Sequence, residues 1–136
     1  MEGLVKITPD AEKAKSMVKM ALTTLDMANS IDYRKFPSNV VKELYDVLRE
    51  LMSATLLLDG WKTKGDGAHK KQIEYMAQNY SQITGFDADF LERLRNLRNR
   101  IAYDGFFVDA KYIKENRNVI DSLILKLRLL LKDKLK

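Results

Sequence analysis

From Val40 to Leu58 the chain reads VVKELYDVLRELMSATLLL, and its second half, Leu51 to Leu58, is apolar on nearly every side of a helix. A helix of that kind has no face fit for water, so other elements must enclose it. The stretch therefore predicts a central helix with neighbours all round. That requirement points to an all-α fold, an antiparallel helical bundle of four to five helices.

The flanking sequence supplies the other helices. Thr8-Pro9-Asp10 precedes the first: Asp10 or Thr8 suits a cap and Pro9 a helix start, and Val18, Leu22, Leu25 and Ala28 or Asn29 make one buried stripe. Asp32 to Pro37 is a break, and Ser38 is the expected N-cap of the central helix, which Asp59-Gly60 ends. A glycine-rich loop through Lys64-Gly65-Asp66-Gly67 leads to a shorter helix over Ala68 to Tyr80, with Ile73, Met76 and Ala77 inside. After Thr84-Gly85, Asp87 is the expected cap of a helix whose stripe is Phe90, Leu94, Leu97 and Ile101 and whose stop is Gly105. Phe106-Phe107-Val108 connects to a last helix capped by Asp109. No segment alternates with period 2, so no strand is expected, and residues 1–136 read as a single domain.

The chain has 136 residues. That length buries roughly two-thirds of the unfolded surface, enough for a core without metals or disulfides. Cysteine is absent, which removes disulfides, thiolate metal sites and cysteine nucleophiles, and fits a cytoplasmic, reducing setting or a hot one. No run approaches about 18 uncharged apolar residues, so no membrane span is expected. The start, MEGLVKITPD, lacks a basic flank followed by an apolar run, so no secretory signal is expected.

Charge is unevenly placed. Residues 1–110 hold 16 Lys/Arg and 16 Asp/Glu, whereas residues 111–136 hold 8 Lys/Arg and 3 Asp/Glu and so carry the whole +5. A basic end attracts phosphates; it equally suits a solvated face at the negative end of a helix dipole. On the last helix Ile120, Leu123, Ile124, Leu127, Leu130 and Leu131 form one apolar face, while Leu125 and Leu129 lie on the other side. That second pair is either an oligomer contact, with a homodimer the simplest case, or two scattered exposed leucines.

The segment LERLRNLRNRIAYDG, residues 91–105, is the most informative for chemistry. At 100° per residue Arg93 and Arg100 border the apolar stripe on one side, and Arg95 and Arg98 border it on the other. Arg95, Asn99 and Tyr103 continue at i+4 steps, giving a polar ridge with Arg98 beside it. Arginine forks and asparagine amides suit phosphate and base contacts. The same spacing fits a surface whose arginine stems cover apolar neighbours. Neither Asp87 with Asp89 nor Asp104 with Asp109 has the further ligands a metal needs, and the loop Gly60 to Gly67 lacks the P-loop order, so no metal or cofactor is expected. Trp61 reads as a core or rim plug.

Arg98-Asn99-Arg100-Ile101-Ala102-Tyr103-Asp104 resembles the signature of HEPN proteins, in which an arginine and a polar residue are followed a few residues later by a histidine. Leu44-Tyr45 through Leu58-Asp59-Gly60-Trp61, then Lys62 to His69-Lys70, resembles that family's second helix, glycine turn and following His-Arg/Lys step. The resemblance covers residues 10–130. It implies a helical dimer with metal-independent RNase chemistry: arginine steadies the phosphate, and histidine moves a proton as the ribose 2′-OH attacks. It also implies partners, either RNA or a nucleotide, or a small nucleotidyltransferase in a toxin–antitoxin pair. Arg98 takes the arginine position and Asn99 the polar one, but Tyr103 stands where the histidine would be. A phenol with a pKa near ~10 is a poor base at neutral pH, and loss of a general base costs on the order of 10²–10⁴ in rate. Gly105 also replaces the tyrosine that toxin-type members often carry. The expectation is a catalytically impaired module binding phosphate through Arg95, Arg98, Asn99 and Tyr103. The alternatives are a weak RNase that draws on Arg98, Tyr103 or the single histidine, His69, and a helical protein-interaction module.

Overall fold

A computed structural model describes residues 3–136. The order is β1 (Leu4–Lys6), α1 (Ala11–Ser30), α2 (Pro37–Asp59), β2 (Trp61–Thr63), α3 (Ala68–Asn79), α4 (Gly85–Asp104) and α5 (Ala110–Lys134). The all-α expectation holds, and α2 is the central helix. Each of α1, α3, α4 and α5 packs on it. Leu44, Tyr45, Val47, Leu48, Leu51, Met52, Ala54 and Thr55 are all fully buried, and along its middle α2 reaches solvent only through a half-buried polar strip that includes Asp46, Arg49 and Glu50. No helix among the described residues is long and apolar enough to cross a membrane.

Helix direction follows from the contacts at the ends. Ser38 and Val108, near the starts of α2 and α5, are hydrogen-bonded, and Asp59 and Lys134, at their ends, are ion-paired. These two helices therefore run in the same sense, as the second and fourth long helices of an up-and-down bundle do. The short 31–36 connection turns α1 back against α2.

Three local readings are corrected. Ser38 does not cap α2. The helix starts at Pro37, whose fixed φ suits a first turn, and the buried Ser38 hydroxyl instead accepts from the Val108 N–H at 3.0 Å. Asp87 is not the cap of α4 but the third residue of a capping box. Thr84 Oγ accepts from the Asp87 N–H, and the Asp87 carboxylate accepts from the Thr84 N–H, each at 3.1 Å. Two short strands are present: β1 and β2 pair antiparallel, with Val5 opposite Lys62. At three residues each they are too short to show alternation. They are set by Gly60, left-handed at φ 85, whose carbonyl accepts from the Ile7 N–H at 2.8 Å.

The stripe on α1 is also finer than expected. Its fully buried residues are Ala14, Ala21 and Ala28, while Val18, Leu22 and Leu25 are only half-buried. Three alanines at seven-residue spacing lie along one line of a helix, and their small side chains let it approach α2 closely. On α3, Ile73 and Met76 are buried as expected and Ala77 is half-buried; on α4, Phe90 and Leu94 are buried and Leu97 and Ile101 half-buried, with Leu91 a further core residue. Ala21→Leu should push α1 off α2 and cost about 1–3 kcal/mol, read as a lower urea midpoint with an unchanged slope.

Candidate functional site

The C-terminal half of α4 and the loop before α3 enclose a cleft of about 400 Å³ lined by Arg95, Arg98, Asn99, Tyr103, His69 and the Gly65–Ala68 turn. The ridge read from α4 is thus one wall. The only histidine, expected at the first turn of α3, stands on the opposite wall. Gly65 and Gly67 are left-handed at φ 83 and 75, so the chain turns tightly there and His69 falls in the second position of α3. The start of α4 is held in turn by the Asp87 carboxylate, which meets Lys126 of α5 at 2.6 Å.

The arginines divide by partner. Arg95 is spoken for: its Nε and Nη2 donate to the two Glu92 oxygens at 3.1 and 2.5 Å, and that fork holds the Glu92 carboxyl below its usual range. Arg98 is not. Its Nη2 lies 3.6 Å from Asp46 Oδ1 on α2, beyond hydrogen-bond length. Its Nη1 reaches Asn99 Oδ1 at 3.3 Å and the Tyr103 hydroxyl at 3.5 Å. Its Nε is buried with no partner, and so is Asp46 Oδ1. The same Oδ1 is 3.6 Å from Arg49, so one carboxylate oxygen serves two guanidiniums at a distance. Arg93 and Arg100, on the other border of the stripe, stack on Phe90 and Phe106; the Arg100 guanidinium lies 3.9 Å from the ring centre.

Tyr103 is 74% exposed and stands at the open side of the cleft, with the Arg98 guanidinium 5.9 Å from its ring centre. Phe107, in the connector between α4 and α5, is 83% exposed but does not line the cleft. Tyr103 is thus the aromatic face that the cleft itself presents. Leu125 and Leu129 lie elsewhere, on α5, exposed as expected at 54% and 57%. Trp61 is half-buried in β2. Among the described residues no three His, Asp or Glu side chains converge as a metal set.

Three participants escaped the sequence reading: Tyr45, Asp46 and Arg49 on α2. Tyr45 is fully buried, its ring centre 6.4 Å from that of His69, and its hydroxyl has no partner. Burial pushes that phenol up to about 12 against the pull of Arg95, Arg49 and Arg98. Tyr45 borders the core stripe, so the sequence offers no signal that its hydroxyl points among arginines. Burial holds the His69 imidazole below its ordinary value, helped by Arg49, Arg98 and Arg95 and opposed by Asp46. A neutral imidazole is the form able to accept a proton. No family model, no curated protein and no solved structure matches the chain.

The His69 titration checks this electrostatic account. Its midpoint by NMR is expected below the usual value of about 6.5, to rise in Arg98→Ala as a positive neighbour is removed, and to rise when inorganic phosphate favours the imidazolium. Phosphate affinity should accordingly increase as pH falls through the His69 midpoint. A midpoint unmoved by the variant and by phosphate contradicts the account.

Proposed function

We propose that this chain is a HEPN-like module whose arginine cleft binds the phosphodiester of RNA or the phosphate of a nucleotide, with little or no RNase activity. The observation that carries the reading is the unmet hydrogen-bonding capacity of Arg98. A guanidinium that is 16% exposed, with a buried Nε lacking a partner and a carboxylate no nearer than 3.6 Å, is under-satisfied, and an anion entering the cleft would relieve it. The exposed face of Tyr103 beside it suits a nucleobase. A cleft of about 400 Å³ also suits a nucleotide unit better than the face of a nucleotidyltransferase chain, the other partner that the HEPN resemblance implies.

A second reading, a weak metal-independent RNase, draws on His69. It shares the cleft with Arg98, so it would replace the missing histidine of α4 from the opposite wall. Neutral His69 would take the 2′-OH proton as the oxygen attacks phosphorus, and the bond from phosphorus to the 5′-oxygen would break to leave a 2′,3′-cyclic phosphate. The departing 5′-oxygen would take a proton from water, and Arg98 would hold the charge on the phosphate oxygens.

One set of assays tests both. Labelled single-stranded RNA and ATP should bind the wild type at micromolar concentration and more weakly as salt rises. Arg98→Ala should lose roughly 10- to 100-fold in affinity, the size of a charge-assisted contact. Unchanged affinity in Arg98→Ala removes the site assignment. Cleavage by the wild type that vanishes in His69→Ala would transfer the conclusion to the second reading.

The same proposal includes a homodimer joined through α5, supported by Leu125 and Leu129, which stand out of the core on a helix otherwise buried along one face. Leu125→Glu combined with Leu129→Glu should convert a dimeric mass to a monomeric one by light scattering. A mass that does not change rules out those leucines as the contact.

A further inference from the structure

A second cavity, of about 180 Å³, lies under the β1–β2 ribbon against α1, α2 and α3 and shares no lining residue with the arginine cleft. Its apolar walls include Met17, Leu56, Leu57 and Trp61. Its polar group is the Gln72 amide. Gln72 is 3% exposed, and its Nε2 donates to Ser53 Oγ at 2.7 Å while its Oε1 is buried with no partner. A buried amide oxygen without a donor is costly, and natural interiors rarely leave one so. Lys13 and Lys62 also border the cavity; both are exposed and neither is ion-paired among the described residues. An apolar cavity of ~150 Å³ already admits a benzene ring.

From these features we infer that the cavity is a small-molecule site for a planar aromatic acid of about bicyclic size. Its ring lies among Trp61, Met17 and the α2 leucines, a ring N–H donates to Gln72 Oε1, and its carboxylate meets Lys13 and Lys62. The inference does not depend on what the arginine cleft binds. Each element of the ligand answers one feature of the cavity: flat apolar body to apolar wall, donor to orphaned acceptor, anion to unpaired cations.

Trp61 is the only tryptophan in the chain, so its indole N–H gives one NMR resonance that reports on this cavity alone. Indole-3-carboxylate should shift that resonance saturably. Benzofuran-3-carboxylate, which has the same shape and charge but an oxygen in place of the N–H, should bind roughly three- to tenfold more weakly, the worth of one neutral hydrogen bond. Uncharged indole should also bind more weakly, by a margin that shrinks with added salt. Gln72→Leu should bring the first two probes to equal affinity. A Trp61 resonance that none of the three moves at millimolar concentration overturns the site, and equal binding of the two carboxylates to the wild type overturns the role of Gln72. That last comparison needs no variant and holds even if Gln72→Leu fails to fold.

Discussion

The bundle is organised by one constraint: α2 has no exposed residue along its middle. Its buried residues, from Leu44 and Tyr45 through Leu51 and Met52 to Leu56 and Leu57, take up most of the circumference and leave only a half-buried polar strip through Asp46, Arg49 and Glu50. Each buried leucine or methionine contributes about 1.5–3 kcal/mol relative to exposure, but only when covered, and no single neighbour covers more than one side. Four helices therefore gather on α2, and each is tied to it where it can be held. The alanine line of α1 gives close approach, and Ser38 holds the start of α5. At the other end Asp59 accepts from Tyr75 and Tyr80 and pairs with Lys134 at 2.6 Å, joining α2, α3 and α5 in one polar knot. Burial raises the Asp59 carboxyl, but these three partners outweigh it and hold it below its usual range. The knot therefore contributes fully above the unfolded carboxyl value and is lost as pH falls through the folded one.

The arginine cleft is a by-product of the same arrangement. The polar strip of α2 carries Asp46 and Arg49, both half-buried: Asp46 faces Arg98 of α4 and Arg49 of its own helix, and Arg49 also nears Glu50. By count each arginine has a carboxylate, but the geometry is uneven. Glu92 grips Arg95 in a fork, while Asp46 stands at arm's length from both Arg49 and Arg98. Charge that is balanced in number but unsatisfied in hydrogen bonding marks a place where another group can enter, and it distinguishes Arg98 from the arginines that merely stack on phenylalanine rings.

What could be read from the sequence divides along a physical line. The five helices and the ridge of Arg95, Asn99 and Tyr103 were legible because helical periodicity is a property of one segment. Caps were half legible. Asp10 and Asp109 cap as expected, but Thr84 and Asp87 share a box in which either residue, taken alone, looks like the cap. Ser38 misled because a serine before a helix suits two jobs, and its hydroxyl was claimed by Val108 across the bundle. The strands, the meeting of His69 and Arg98 in one cleft and the packing of Tyr45 near His69 are products of packing alone. No spacing within one segment encodes them.

The central place of α2 has a consequence for how the chain is made. Residues 37–59 leave the ribosome early, but the leucines of α5 that cover them extend to Leu131. At typical synthesis rates the interval between the two is on the order of 10 s. During it α1 is the first shelter, α3 and α4 arrive in turn, and the side that α5 covers stays bare to the last. The nascent chain thus passes through a sticky, half-wrapped stage that the finished bundle conceals, and its yield in a cell depends on whatever shields that helix until α5 has emerged.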